Sequence, residues 1–527
     1  MHPAQIFELV LGLLAAVVAL HWLALRLRLP PASALMFGGG ALAFIPGLPH
    51  VQVDPELVLV LFLPPLLMDG AYYTAFGRFR RHLPGILSLA VGAVVFTTLA
   101  VGVATRCLVP QLPWAACFAL GAIVSPPDAV SARAVLQGVK LPRRLLALLE
   151  GESLLNDATG LVLFRFAVAA TLTGMFDAGA AAQSFAILAL GGVAVGVAAA
   201  ALWIFIVRRL EDDMLIITCS FMLCWVAYIV GEAVHVSGVI ATVSAGLMLG
   251  WWQHEIFPAA VRLQGNAFWR ISVFVLEALV FILIGFSLRG VLDRVGGLDS
   301  VAARMLLPAL GVVCAVTLSR IVWVFGVDAI LYAARGAGLK RARPLGWRQA
   351  SVLGWAGMRG VVTLAVALSL PETMPGRDFM LVASFAVIIA TVVVQGSTLG
   401  WLIRMVRPVD ADPPAKVSLA GCEASISRAK FDAVKKLAYD ADGKLIHPQL
   451  LDIYTRRHAF TERYAADVEA AMQTMNPHMD VVLAAVAAGR AELIRIHREG
   501  LIEDETLHNL ERDLDVEEMA MILQRVV

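Results

Sequence analysis

Apolar runs recur from residue 6 to residue 404, and this repetition restricts the possible folds of the chain more than any other feature of its sequence. A helix needs about 20 apolar residues to cross the ~30 Å hydrocarbon core of a bilayer. The 527 residues are 59% hydrophobic and only 16% charged, whereas soluble domains carry about 25% charged residues. The pattern therefore predicts an all-α polytopic membrane protein.

The apolar runs divide into thirteen segments, which predict about 13 transmembrane helices. The fifth and the twelfth segments contain residues that break helices. The first lacks the basic leader and the cleavage site of a signal peptide, so we expect it to be a membrane helix. The segments are residues 6–25, 29–47, 56–75, 83–106, 114–137, 145–174, 183–208, 215–234, 236–251, 267–291, 303–334, 350–370 and 378–404.

Positive charge alternates between successive connections. The third connection contains Arg78, Arg80 and Arg81, and the eleventh, residues 335–348, is the most basic. The even-numbered connections contain few cations apart from one group between residues 289 and 304. Because cytoplasmic loops carry an excess of Lys and Arg, the odd-numbered connections and the C-terminus are expected in the cytoplasm and the N-terminus outside.

The composition changes after Pro408, where the chain becomes charged and has the apolar periodicity of amphipathic helices. We therefore expect a transmembrane domain over residues 1–407 and a cytoplasmic C-terminal helical regulatory domain over residues 408–527. The motif DADGK, which begins at Asp440, is similar to a calcium loop. Its twelfth position is Leu451 rather than a bidentate Glu, so a surface turn is expected. The net charge of +1 does not indicate nucleic-acid binding.

Ionisable side chains at membrane depth cost at least ~2.5–3.5 kcal/mol each, so each needs a partner, a cavity or a function. Ser153 lies four residues before Asp157, which places both oxygens on one strip of a helix, while Glu152 and Asn156 share another face. Oxygen clusters of this kind suit hard cations such as Na+. The polar positions that stand out are Asp69, Asp128, Glu152, Asn156, Asp157, Arg320 and Arg359.

Two apolar segments are interrupted. Pro126 and Pro127 remove two backbone donors from the fifth segment, and Arg359 lies between glycines in the twelfth. Interrupted helices are tolerated in a membrane only around a polar cavity. The two breaks are seven segments apart, which is the arrangement expected of two inverted repeats whose broken helices cross at a midplane site.

The residues alone leave several interpretations open. Asp128 and Asp157 could form the dyad of an intramembrane aspartyl protease, although the second aspartate follows LLN rather than GxG, and HExxH is absent. A passive cation channel and a receptor with a signalling tail are further alternatives. An ion pair of Glu152 with Arg320 could be purely structural, and Arg165 could snorkel or pair with an outer acid.

Five motifs occur in a familiar order: SPPDAVSARAV, GESLLNDATGLVLFRFAVA, HVSGVIATVSAGLMLG, LVFILIGFSL and WAGMRGVVTLAVALSLP. Over about residues 5–405 the chain resembles the sodium/proton antiporters of the monovalent cation:proton antiporter-1 family, of the bacterial NhaP and NHE type. The resemblance implies that Asp157 binds either a proton or a cation. It implies Na+ binding at Asp157, Asp128 and Ser153, with the Pro127 carbonyl and Asp69 completing the shell.

The same resemblance assigns supporting roles. Asn156 marks the branch that exchanges one cation for one proton without net charge, Glu152 pairs with Arg320, and Arg359 offsets the helix ends at the crossing. The family commonly has threonine where this chain has Pro127, so the choice among Na+, K+ and Li+ stays open. No cofactor and no enzymatic activity are implied. A homodimer in the bacterial inner (plasma) membrane, with a role in pH homeostasis, is expected.

The expected mechanism follows from desolvation. A partly dehydrated cavity disfavours the bare carboxylate, so a proton and a cation compete for it. If the empty anion is too costly to carry across the barrier, only the loaded site changes sides. Obligate exchange by alternating access, without ATP, is the result; no GxxxxGK[ST] motif is present in the sequence.

Overall fold

The computed structural model describes residues 3–27, 29–45, 55–128, 141–175, 178–297, 299, 301, 304–339, 343–410, 417–440 and 442–525. Regular secondary structure in these ranges is helical, apart from one antiparallel bridge between Tyr439 and Leu445. The chain divides into two compact units, Met1–Ala411 and Asp412–Val527. Each unit is described by itself below.

Fourteen helices are described in the first unit. They are α1 Pro3–Leu27, α2 Pro31–Ala43, α3 Pro55–Tyr73, α4 Phe76–Leu108, α5 Trp114–Val124, α6 Arg143–Thr173, α7 Ala178–Val207, α8 Asp213–Ala233, α9 Gly238–Ile256, α10 Ala259–Val295, α11 Leu306–Gly336, α12 Trp347–Trp355, α13 Val361–Leu368 and α14 Arg377–Val406.

Among the described residues, eight helices are long and apolar enough to cross a membrane: α1, α4, α6, α7, α8, α10, α11 and α14. Shorter apolar helices accompany them in α2, α3 and α5. Each of the thirteen segments expected from the sequence overlaps at least one helix. The all-α polytopic fold is thus confirmed, whereas the number of thirteen spans stays a prediction.

Local sequence signals explain where several helices begin, end or widen. The Asp212 side chain accepts the Leu215 N–H at 2.9 Å and so caps α8. Gly174, with a φ of 72°, ends α6 in the left-handed conformation that glycine adopts readily. Two long helices contain π-helical turns, Ser88–Ala93 in α4 and Thr391–Gln395 in α14. Such turns commonly occur at functional sites.

Helix packing defines two groups. In the first helix group, α6 packs against α4 and α5, and α11 packs against α4, α12 and α14. In the second helix group, α9 packs against α3, α7 and α8, while α10 packs against α2. Close approach in the second group depends on small residues, since a Cβ at Gly39 would overlap the Ile282 carbonyl. Helix α13 contacts members of both groups.

Four helices form the described part of the second unit: α15 Leu419–Leu437, α16 Pro448–Ala466, α17 Val468–Arg498 and α18 Asp504–Arg525. Helix α15 packs against α16, and α17 packs against α18, where Arg490 pairs with Asp515 at 2.6 Å. The Asp440 carboxylate accepts the backbone N–H groups of Asp442 at 3.0 Å and Lys444 at 2.8 Å. It is therefore used by the turn itself.

Candidate ion-binding site

Two broken segments cross inside the first unit. Helix α5 ends at Val124 and is followed by non-helical residues 125–128; α12 ends at Trp355, and residues 356–360 separate it from α13. The two stretches are joined where the Asp128 N–H donates to the Met358 carbonyl at 2.7 Å. The first break falls at the SPPD motif, because proline cannot continue the helical hydrogen-bond ladder. The second falls at AGMRG, where Gly357 and Gly360 disfavour a helix.

Arg359 closes the end of α5. Its Nε donates to the Val124 carbonyl at 2.9 Å, and its Nη2 donates to the Ser125 carbonyl at 3.2 Å. A helix C-terminus has unpaired carbonyls and a partial negative charge. The guanidinium is 1% exposed, so it satisfies these carbonyls in place of water. Arg359 thus lies at a helix end, and the role that the resemblance implies for it stays a prediction.

Arg320 has a comparable position at the end of α12 and also contacts α6. Its Nε donates to the Leu353 carbonyl at 3.2 Å. Its Nη1 and Nη2 lie 2.5 and 2.9 Å from the two carboxylate oxygens of Glu152. The two side chains are 3% and 2% exposed, and the bidentate geometry is the strong form of this pair. The two buried charges therefore neutralise each other.

Asn156 connects α6 to the broken stretch after α5. Its Nδ2 donates to the Pro127 carbonyl at 2.6 Å, and the side chain is fully buried. A carbonyl oxygen has two lone pairs, so one stays available after this bond. Within the described part of the chain, the Asn156 Oδ1 has no hydrogen-bond partner.

Asp157 and Asp128 bring two carboxylates to the crossing. Asp157 is 7% exposed, and its carboxylate interacts electrostatically with that of Asp128, which is partly exposed. Among the residues that the structure describes, no basic side chain forms an ion pair with Asp157. A Cβ at Gly360 would overlap the Asp128 carboxylate, so glycine leaves space for this acid. The crossing therefore brings together two acids, of which Asp157 is buried and Asp128 is partly exposed.

The remaining candidates lie on two helices. Ser153 is partly buried on α6, one turn before Asp157. Asp69 is buried in α3, where its carboxylate interacts electrostatically with the Tyr73 hydroxyl. Helix α3 packs against α6 and α13. The structure thus brings Asp157, Asp128, Asn156 and Pro127 together directly, and it places Asp69 on an adjoining helix.

Two contributors were missed by the sequence analysis. The Thr391 hydroxyl accepts the Arg359 backbone N–H at 3.0 Å and donates to the Val387 carbonyl at 2.8 Å. The Ser125 hydroxyl accepts from the Thr98 hydroxyl at 3.1 Å. A hydroxyl within an apolar run was the only available signal, and it is weak because Ser and Thr usually bond to the preceding helical turn.

Comparisons with known proteins identify the family of this chain. Residues 12–405 match the family model described as sodium/hydrogen exchanger, transmembrane. An uncharacterised Na+/H+ exchanger of Mycobacterium tuberculosis is 31% identical over 530 residues, which cover 97% of this chain and 96% of that protein. A corresponding Escherichia coli exchanger is 31% identical over 90% of each chain.

Further comparisons extend these matches. The sodium, potassium, lithium and rubidium/H+ antiporter of Bacillus subtilis is 32% identical over 69% of this chain and 56% of its own length. The fold is similar to that of MjNhaP1, a sodium proton antiporter from Methanocaldococcus jannaschii, with a TM-score of 0.60 and 18% identity over 79% of this chain and 100% of that one. This chain belongs to the sodium/hydrogen exchanger family, whose members are transporters rather than enzymes.

Proposed function

We propose that the protein exchanges Na+ for H+ across the bacterial plasma membrane, one for one and without net charge, by alternating access. The cation and the proton compete for Asp157. The observation that carries this proposal is the meeting of the Asp157 and Asp128 carboxylates at the crossing of two broken helices. Membership of the sodium/hydrogen exchanger family supports the reaction class.

The electrostatics of the crossing explain obligate exchange. Two nearby carboxylates resist being ionised together, and an uncompensated charge in a low-dielectric interior is costly. A proton or a Na+ ion bound at Asp157 relieves this repulsion. Only the loaded site then changes sides at an appreciable rate. We propose that Asp128, Ser153, the free lone pair of the Pro127 carbonyl and Asp69 supply further oxygens to the cation.

The proposed exchange is electroneutral because the other buried charges near Asp157 already have partners. Glu152 is neutralised by Arg320, and Arg359 faces the carbonyls at the end of α5. Asn156 occupies the position beside Asp157 with an amide that does not titrate. A Na+ ion and a proton carry the same charge, so replacing one by the other at Asp157 leaves the moving unit with the same net charge.

Na+ is the proposed principal cargo, and K+ and Li+ are the alternatives. The Bacillus subtilis relative is named for sodium, potassium, lithium and rubidium. Pro127 has no hydroxyl, so this side chain contributes no ligand of its own. The remaining oxygen ligands suit any of these hard cations.

The proposed arrangement in the membrane follows from the basic connections. Arg143 and Arg144 begin α6, and Arg343 lies in the non-helical stretch before α12. These positions would face the cytoplasm. The N-terminus is then outside, and the helical region from residue 408 onward is a cytoplasmic regulatory domain. We propose a homodimer in which the first helix group moves against the second, as in transporters built from inverted repeats.

The test uses the purified full-length protein in liposomes that contain a pH-sensitive dye. Adding Na+ outside is expected to raise the internal pH, because Na+ enters as H+ leaves. The rate is expected to be the same with and without an imposed membrane potential. Ion flow that follows the potential would instead indicate the channel alternative. Absence of any pH change with Na+, K+ and Li+ in turn would refute the proposal.

A further inference from the structure

One ion pair outside the site joins α6 to the hairpin formed by α8 and α9. Arg165 lies eight residues after Asp157 on α6, which corresponds to ~12 Å along the helix. Its Nη2 is 3.3 Å from the Glu232 Oε2 near the end of α8. The other oxygen of Glu232 accepts the N–H of Gly238, the first residue of α9, at 3.2 Å. Glu232, which lies in α8, therefore links this helix to α6 and α9.

These helices belong to different groups. Helix α6 packs mainly against α4 and α5 of the first helix group, whereas α8 packs against α3, α7 and α9 of the second. The pair of Arg165 with Glu232 therefore crosses the boundary between the first helix group, which holds Asp157, and the second helix group. Because Oε1 of Glu232 is held by the start of α9, the position of Oε2 is fixed by the second group.

The pair lies near the end of α8, because Glu232 is the second-last residue of that helix. The side chains of Arg165 and Glu232 are 59% and 37% exposed. A charge at membrane depth faces a partner or a water-filled cavity rather than lipid. Arg165 and Glu232 are partners of each other, so neither charge is left facing lipid while the pair is formed. An exposed pair of this kind adds little to stability by itself, which suits a contact that forms and breaks.

We propose that Arg165 and Glu232 form an ionic latch that closes the passage between the two helix groups on the side of α6's C-terminal end. This proposal rests on the proposed function. The latch is closed in one of the two access states, and it lies on the outer side of the membrane under the proposed orientation. The pair is formed in the state that the structure describes. It must break when the first helix group moves to expose Asp157 to that side.

Cross-linking tests the latch directly. The six native cysteines are replaced by alanine or serine, and the substitutions Arg165→Cys and Glu232→Cys are introduced together in the full-length protein. After reconstitution, a bifunctional methanethiosulfonate reagent bridges the two thiols, and a reductant removes the bridge. We expect Na+-driven pH change before bridging, its loss after bridging and its return on reduction.

Two outcomes would overturn the latch. One is exchange at the uncross-linked rate in protein whose bridge is verified by mass spectrometry. The other is an equal loss of exchange with a monofunctional reagent, because modification alone would then explain the effect. Exchange in the reduced protein keeps this test separate from the proposed function, which fails only if the unmodified wild type also does not exchange.

Charge-neutral variants supply a second measurement. Glu232→Gln keeps an oxygen for the Gly238 N–H but removes the charge, and Arg165→Gln removes the other partner. We expect each to change the Na+ concentration for half-maximal exchange by about threefold or more, and the double variant to differ no further. Arg456→Gln is the matched control, since Arg456 forms an exposed pair with Asp452 within α16 at 2.6 Å. Additive effects of the two substitutions would contradict the latch.

Discussion

Two buried carboxylates of helix α6 have opposite surroundings. Glu152 is 1% exposed, and a bidentate Arg320 neutralises it. Asp157 is 7% exposed, and it faces a second acid, Asp128. Burial alone therefore does not identify an ion-binding carboxylate. The difference is whether the protein supplies the counter-charge, as it does for Glu152, or leaves it to a transported ion, as we propose for Asp157.

Charged side chains in membrane helices thus have two different roles, one structural and one in ion binding. Glu152 and Arg320 join α6, α11 and the end of α12, so their attraction maintains the architecture around the crossing. A permanently neutralised acid cannot exchange ions. An acid whose counter-charge is a transported ion can exchange ions, provided that the helices around it stay in place when the ion leaves. The Glu152–Arg320 pair thus maintains the helix positions that the proposed ion binding at Asp157 requires.

Asp157→Asn is expected to have the largest effect, a complete loss of cation-driven pH change in liposomes. The amide is similar in shape to the acid but binds neither a proton nor a cation as a counter-charge. Because the substitution removes a buried charge, the variant should remain folded, with a melting temperature no lower than that of the wild type.

The matched control is Asp212→Asn, the same chemical change at the cap of α8, where Asn caps as well as Asp. This variant should exchange normally. Retention of wild-type exchange in Asp157→Asn would remove Asp157 from the mechanism and with it the contrast to Glu152.

Glu152→Gln is expected to lower stability most strongly. Removing one partner of a buried ion pair costs about 3–5 kcal/mol, because the remaining charge is left uncompensated. A large drop in the melting temperature of the purified protein should reveal it. The double variant Glu152→Gln/Arg320→Gln should recover much of this loss. A single variant as stable as the wild type would show that Arg320 finds another counter-charge.

Part of this arrangement could be predicted from the sequence. Apolar length placed the helices, and the prolines of SPPD and the glycines around Arg359 placed the breaks, because these signals are local. The carbonyls that Arg359 and Arg320 satisfy could not be predicted. Arg359 and Val124 are 235 positions apart, and only packing decides which helix end a guanidinium reaches.

The site, too, could be predicted only in part from the sequence. The resemblance indicated that Glu152 faces Arg320, and the two side chains do form a bidentate pair. Helical spacing alone predicted that Ser153 and Asp157 share a strip of α6. It could not predict that the Asn156 amide would reach the Pro127 carbonyl, because that bond depends on where the chain runs after α5 is broken.

Asn156→Asp is expected to slow exchange about tenfold, since losing a bond to a buried carbonyl costs about 1–3 kcal/mol. The new carboxylate cannot donate to the Pro127 carbonyl, and it adds a second titratable acid beside Asp157. Exchange should also become sensitive to an imposed membrane potential. Asn266→Asp is the control, because among the described residues the Asn266 side chain only accepts a hydrogen bond, from Tyr73. An unchanged rate without sensitivity to the potential would contradict this role.

Gly360→Ala is expected to weaken cation binding by a few-fold. The added Cβ would overlap the Asp128 carboxylate, and overpacking of this kind costs about 1–3 kcal/mol. The Asp128 carboxylate must then leave its present position. Gly354→Ala is a matched control at the end of α12, where the nearest atoms to a Cβ are 3.5 Å away. Equal Na+ affinities in the two variants would show that the position of Asp128 is unimportant.

Thr391→Val is expected to have the smallest effect, about 1 kcal/mol, which is the usual contribution of one hydrogen bond. The variant leaves the Arg359 backbone N–H without its acceptor in the π-helical turn of α14. Exchange should fall by a few-fold while the Glu152–Arg320 pair keeps the melting temperature near that of the wild type. Thr391→Ser retains the hydroxyl and should restore the rate. If serine is as slow as valine, the hydroxyl and its hydrogen bond do not by themselves position Arg359.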